Sequence, residues 1–462
     1  MLDLIIIVVY FAVVVTIGIF SRKAARDASG FFVASRRSST PWIAGSLVAT
    51  IIGGSATVGM AGLGFSRGLT GAWWLLVGSI GLVVLGLFFA ERVRKFGLYT
   101  LPQLIGKQYG RNIALAASIL IVIAWLGVLA GQIVAAGQIL SVLKIGTPIL
   151  WMVIFNAVLI TYTLLGGQYA VIQTDVLQTG MIFTGIFVGL AQLLSRLGGF
   201  GGLVNSLPPA KLSFPLSPTF GGYELVSYLL LIGLTYVVGP DMYSRLFSAR
   251  DAKTARNSVF WAALLIAPLA FAITLMGMGA SILFPNISPE QAFPALIQGV
   301  FPPVVGAIVL AAVVSAIMSP ALLLTASTIL SNDIITKLRP SLNEKQVVLI
   351  SRWGVVVLGI LSLLLALTLK GVINALLFAY TIYTCGLILP VIAGFYRDRL
   401  KLTPMGALVA IIGGGTAGLI SKLGHIKYLD LGGLLISGLL LFLVSFIDNR
   451  IRSRRLDEGK GA

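Results

Sequence analysis

Ala49-Thr50-Ile51-Ile52-Gly53-Gly54-Ser55-Ala56-Thr57-Val58-Gly59 is the stretch on which the reading of this chain turns. It sits inside an apolar run, 42–66, long enough to cross a bilayer, yet a Gly-Gly pair flanked by Thr and Ser is a poor helix centre. In hydrocarbon every backbone N–H and C=O must be paired, so irregular backbone survives only against protein or a watered cavity. A second run, 222–244, carries the same kind of interruption: Gly233, then Gly239-Pro240-Asp241, where proline removes a donor. Any one of these glycines is explained as well by close helix packing. Two interrupted spans, each opening a set of five, point instead to an inverted-repeat transporter with its site at the breaks.

The rest of the chain agrees. Of 462 residues 58% are hydrophobic and 10% charged, against about 25% charged in soluble domains. The chain cannot cover a water-facing surface, and the expected class is an all-α polytopic membrane protein. About thirteen spans are expected, at 3–20, 42–66, 71–90, 113–143, 148–168, 174–195, 222–244, 257–283, 296–330, 350–369, 372–395, 404–421 and 430–447. The fourth and ninth exceed a bilayer thickness, which predicts tilt, a kink or a break. The Gly- and Pro-rich connection 196–221 reads as an external loop with room for a short helix. The first segment lacks a basic flank and a small-residue cleavage site, so it reads as a retained span.

The net charge of +18 is topological. Only Arg67, Lys144, Arg196, Lys211, Lys370, Lys422 and Lys427 fall in one set of alternate loops, leaving 26 of the 33 basic residues in the other set and the tail. Basic loops stay in the cytoplasm, so the N-terminus is expected outside and the C-terminus inside, in a multi-pass cell-membrane protein. No basic stripe with interleaved aromatics suggests nucleic acid. One cysteine, Cys385, and one histidine, His425, exclude a Cys/His metal cluster, and no nucleophile–base pair or phosphate loop suggests an enzyme. Asp241 and Arg245, four apart, are expected to face each other as an ion pair or gate latch. Asp175, at the start of a span, suits a helix N-terminus or an ion path equally. Gln132, Gln138, Thr381 and Tyr383 read as interhelical hydrogen-bonding groups, with Tyr380 and Tyr383 flanking a cavity on one helical face.

Several blocks in order resemble the solute:sodium symporter family: Gly59-Met60-Ala61-Gly62, Tyr99-Thr100-Leu101-Pro102, Leu164-Leu165-Gly166-Gly167 followed by Thr174-Asp175 and Gln178, Arg245 with 252–256, and 311–319 running on to Asp333. The resemblance covers about residues 2 to 447. It implies one transporter domain over 1–462 with a five-plus-five inverted repeat, like the sodium-coupled leucine transporter fold. The repeats would be 41–195 and 222–395, preceded by one helix and followed, over 396–462, by two more and a basic tail. It also implies a sodium ion between the second and ninth spans, held by the carbonyls of Ala49, Ile52 and Ala316 and the hydroxyl of Ser319. A small hard cation wants several oxygens, and unwound backbone supplies them.

The chain departs from that family at Pro320, where most members carry a second Ser or Thr. One side-chain oxygen is lost, but proline also leaves the Ala316 carbonyl without its helical donor. Proton-coupled or uncoupled transport therefore stays open beside sodium symport. So does a solute sensor acting with a separate partner, since about fifteen residues after the last span leave no room for a signalling domain. Positions that contact sugar in galactose-transporting members fall here on Ala56, Leu75 and Gly78, which speaks against a hexose. The break itself, Gly53, Gly54, Ser55, Ala56 and Thr57, is the expected solute site, with Trp73 and Trp74 nearby. Free amides there would suit an anionic head group, hence a small monocarboxylate or an amino acid. The oligomeric state is open.

Overall fold

A computed structural model describes residues 2–319, 321–368, 372–424 and 429–458. Pro320 and His425 lie outside them. The described chain is helical almost throughout, and eleven of its helical stretches are long and apolar enough to cross a membrane. The first is α1 (Leu2–Ser21). The second expected span divides into α2 (Thr40–Ile51) and α3 (Met60–Arg67). A tight turn at 68–72 then carries α3 into α4 (Trp73–Phe88). After the surface helix α5 (Leu101–Tyr109) comes α6 (Arg111–Leu140), which runs unbroken despite its length.

The expected fifth and sixth spans appear as one stretch, α7 (Pro148–Arg196), kinked at Gly167 with φ 52° and ψ −154°. A Cβ at Gly167 would stand 2.7 Å from the Phe31 ring and 2.8 Å from its carbonyl, so only glycine lets the chain turn there. Among the described residues, the eleven stretches compare with thirteen expected spans as follows: the second span is cut by its break, and two stretches, 55–88 and 148–196, each run over parts of two expected spans without a loop.

The seventh span yields α8 (Leu234–Val238) and α9 (Pro240–Ser248), separated at Gly239, whose ψ of 129° is not helical. Then follow α10 (Ala252–Leu283), α11 (Pro303–Ile317), α12 (Ala321–Ile329), α13 (Glu344–Ala366), α14 (Val372–Tyr383), α15 (Pro404–Leu423) and α16 (Leu429–Glu458). Polar caps start the long helices where they leave water. The Thr147 hydroxyl accepts the Leu150 N–H, Asp251 that of Thr254 and Asn343 that of Gln346, each supplying a partner to an otherwise orphan amide. The 196–221 connection holds two short helices, Gly199–Asn205 and Pro209–Leu212. One large apolar core fills the bundle from α1 to α16, while the bilayer-length helices keep apolar residues such as Val8, Trp261 and Leu439 exposed on their outer faces.

Candidate functional site

Both interrupted spans are interrupted in the structure. α2 ends at Ile51, and Ile52 leaves the helix with φ −85° and ψ 79°. The Gly53 N–H, which a continuous helix would give to the Ala49 carbonyl, goes to Ile51 O at 3.0 Å. The Gly54 N–H, which would serve Thr50, goes to Gln132 Oε1 of α6 at 2.5 Å. A wide turn at 55–59 then restores the helix, the Thr57 and Gly59 amides returning to Gly53 O and Gly54 O. The Ala49 carbonyl is thus released from helical pairing, as a cation site requires.

Gln132 holds the break in place. A Cβ on Gly53 would meet its Nε2 at 2.2 Å, and one on Gly54 would meet its Oε1 at 2.9 Å and Ala135 Cβ at 2.4 Å. Two glycines are needed because α6 passes against bare backbone. This corrects the expectation of free amides at the break, since the Gly54 N–H is already satisfied. The Thr57 hydroxyl is likewise returned to Gly53 O at 2.9 Å, and Ser55, Ala56 and Thr57 are all buried. Trp73 and Trp74 are engaged elsewhere. Trp73 stacks on Phe214 at 5.2 Å and donates to Pro215 O, and Trp74 packs edge-on against Tyr228.

A further break, in the ninth span, lies close to the one at Gly53–Gly54. α11 ends at Ile317, whose side chain would stand 3.6 Å from a Cβ on Gly54, and Ser319 lies in non-helical backbone. The Met318 carbonyl accepts the Tyr162 hydroxyl and, at 3.3 Å, Gln178 Nε2. The Ser319 hydroxyl donates to Asp175 Oδ1 at 3.0 Å. One face of α7 therefore grips the opened backbone with Tyr162, Asp175 and Gln178.

Asp175 is wholly buried and fully partnered. Its Oδ2 accepts from Ser46 Oγ at 2.5 Å and from Arg245 Nη2 at 3.1 Å. Arg245, equally buried, also donates from Nε to Ser46 at 3.2 Å and from Nη1 to Ser244 Oγ at 2.9 Å. Two expectations are corrected here. Arg245 pairs with Asp175, not with the Asp241 carboxylate; from Asp241 it reaches only the backbone carbonyl, at 3.5 Å. The cause is that α9 begins at Pro240, so Asp241 occupies the first turn and its carboxylate turns to the helix's opening amides. Nor does Asp175 sit at a helix N-terminus. The kink that opens its helix is at Gly167, two turns earlier.

Asp241 instead lines a small cavity of ≈ 20 Å³ with Trp125, Thr235, Tyr236 and Tyr380, room for about one water. Trp125 Nε1 is buried and has no hydrogen-bond partner. Tyr380 lines this hollow, while Tyr383 stands behind it, donating to Val238 O at 2.7 Å and packing on Trp125 at 5.0 Å. Trp125 lies two turns, about 10 Å, along α6 from Gln132, so one helix lines this hollow and holds the first break. Gln138 reaches Glu290 at 2.8 Å, while the Thr381 hydroxyl bonds its own helix at Leu377 O and is no interhelical link. Ser46, Tyr162 and Met318 were not singled out from sequence. The available signal was that a buried Arg245 needs an acid, and Asp175 is one of three acids near the bilayer, with Glu224 and Asp241.

Sequence comparison now decides the family. The sequence model of the sodium:solute symporter family matches residues 31–414. The chain belongs to the sodium:solute symporter family. Relatives of this family member include the sodium/pantothenate symporter of Escherichia coli (strain K12), 28% identical over 96% of this chain and 95% of that protein. Another is the sodium/glucose cotransporter of Vibrio parahaemolyticus, 24% identical over 89% of this chain and 83% of that one. Among solved structures, a Na+-coupled sialic acid symporter in a substrate-bound outward-open state superposes with a TM-score of 0.83 at 16% identity, over 97% of this chain and 98% of that one. A nucleobase-cation-symport-1 family transporter gives 0.66 at 15% identity, over 93% and 96%. This symporter therefore has the leucine-transporter-like fold and is an integral membrane protein.

Proposed function

We propose that the chain carries out sodium-coupled symport of a small amino acid by alternating access. The cation would sit between the breaks of the second and ninth spans, on the carbonyls of Ala49, Ile52 and Ala316 and on the Ser319 hydroxyl. The observation that carries this is the Ser319–Asp175 hydrogen bond. A hydroxyl whose proton is committed to a buried carboxylate turns its lone pairs outward, as a cation ligand must. Arg245 neutralises Asp175, which keeps the cage itself close to neutral and able to release the ion.

The solute would lie between Gly53–Thr57 and the hollow lined by Trp125, Tyr236, Tyr380 and Asp241. An unpartnered indole N–H suits a carboxylate oxygen, and Asp241 beside aromatic faces suits an ammonium. A bare monocarboxylate would meet Asp241 as a like charge, so an amino acid fits the pair of groups better. In this reading 41–195 and 222–395 are the two repeats, and the basic loops face the cytoplasm with the C-terminus.

Uptake of labelled neutral amino acids, acetate, pyruvate and glucose into proteoliposomes, with and without an inward sodium gradient, tests the proposal. Sodium-dependent accumulation of an amino acid, abolished by a sodium ionophore and by Ser319→Ala, is expected. Accumulation indifferent to sodium, or of glucose alone, would overturn it.

A further inference from the structure

The face bearing the basic loops holds a cavity of ≈ 810 Å³ that shares no residue with the proposed ion and solute sites. One wall is the segment Ala90–Lys95 with α5, and the other is the turn 394–399 that leads out of the second repeat. Arg92, Lys95, Lys107, Arg397 and Arg399 line it, with Asp398 as the one acid. Among the described residues none of these five cations has a carboxylate within 4.0 Å. Glu91, next in sequence, is committed to Arg256 at 2.8 Å.

The cations are positioned by neutral groups. Arg92 Nη1 donates to the Tyr396 hydroxyl at 3.2 Å, and its guanidinium lies 5.4 Å from that ring's centre. Arg397 donates to Gln108 O at 2.5 Å and to Leu402 O at 3.3 Å. Lys107 lies 5.8 Å over Phe96. The floor is aromatic: Phe395 packs on Phe89 at 5.0 Å and on Phe96 at 6.3 Å. The five bases repel one another in a single hollow, and Asp398 is the one acid among its lining residues to offset them.

The cavity's position says what the counter-charge is. It lies just past the end of the membrane helix α4, whose last residues Leu87 and Phe88 are 61% and 54% exposed and are followed by Phe89, packed on the lining residue Phe395. A ligand there meets cations, aromatic rings and bilayer-facing apolar side chains together. A basic hollow between membrane helices at the cytoplasmic interface has the chemistry of an anionic headgroup site. We propose that this cavity binds the phosphate-bearing headgroup of an anionic phospholipid, whose acyl chains lie along α4. Because its walls belong to the two halves of the bundle, a bound headgroup bridges them.

Native mass spectrometry of the full-length protein, titrated with phosphatidylglycerol, cardiolipin, phosphatidylcholine and inorganic pyrophosphate, tests this. Retention of the two anionic lipids, but not of phosphatidylcholine or pyrophosphate, is expected. K95Q/K107Q/R399Q, all at exposed positions, should weaken anionic-lipid binding at least about tenfold. K253Q/R339Q/K345Q removes the same charge from exposed positions elsewhere on this face and should leave it within about twofold. Should the triple variant fail to fold, R399Q alone should still weaken binding by about fivefold. Equal losses in the two triple variants, equal binding of phosphatidylcholine, or pyrophosphate bound as well as lipid would each overturn the assignment, the last by showing a soluble-anion site.

Discussion

Arg245 and Asp175 meet at 3.1 Å with neither side chain exposed to solvent. Removing one member of such a pair leaves the other as an uncompensated buried charge, at a cost of about 3–5 kcal/mol, whereas replacing both by apolar groups is often neutral. Arg245→Gln should therefore lower thermal stability in detergent far more than Arg245→Met combined with Asp175→Leu. If the double variant is no more stable than the single one, the pair is not the source of the loss.

The Gly53–Gly54 break predicts an asymmetry. A methyl at Gly53 would strike the tip of the Gln132 side chain, which can swing away, whereas a methyl at Gly54 would strike Ala135 Cβ, fixed on the α6 backbone. Overpacking of this kind costs about 1–3 kcal/mol. Gly54→Ala should abolish uptake, and adding Gln132→Ala should not restore it. Gly53→Ala should be impaired but recover when Gln132→Ala is added. Recovery of both, or of neither, in proteoliposome uptake would contradict the geometry.

The Met318 carbonyl is held by two donors, so losing one is cheaper than losing both. Gln178→Leu and Tyr162→Phe should each cost about 1 kcal/mol. Together they leave an opened, buried carbonyl with neither side-chain donor, and the combined loss should exceed their sum. Strict additivity in thermal unfolding would mean that the two side chains act independently of that carbonyl.

The breaks were legible in the sequence because glycine and proline state a backbone requirement locally. Gly53-Gly54 and Gly239-Pro240 needed no tertiary information, and both mark real interruptions. Pairing was less legible. The i,i+4 rule joined Arg245 to Asp241, but that rule presumes both lie in mid-helix, and the start of α9 at Pro240 turns Asp241 toward its own amides. The true partner is 70 residues away, and nothing in local spacing could choose it. Gln132 was seen only as a polar group on an apolar helix. That it seals the Gly54 amide depends on how close α6 approaches, and only the packed structure supplies that. Where a kinked glycine or a tight turn joins two expected spans, as at Gly167 and at 68–72, the helical stretch runs across the junction and the spans are not separated by a loop.

At the water-exposed start of α10 the Asp251 carboxylate accepts the Thr254 N–H at 2.7 Å, with Arg250 at 3.3 Å. The Thr254 amide, more than the neighbouring arginine, holds this carboxyl below its ordinary value of 3.8. A group whose folded value is depressed stabilises the fold above its unfolded value, and that contribution is lost as pH falls through the folded one. Asp251→Ala should thus cost about 1 kcal/mol at neutral pH, the usual loss of a helix cap. Asp251→Asn, which keeps an accepting oxygen, should cost only a few tenths. Thermal unfolding of the three proteins at neutral pH and again below pH 3.8 separates cap from charge. The gap between wild type and Asp251→Ala should narrow in acid, as protonation weakens the carboxylate's hold on the amide, while the gap between Asp251→Asn and Asp251→Ala stays constant. A wild-type advantage that survives unchanged in acid would show that packing at this corner, and not the ionised cap, supports the start of the helix.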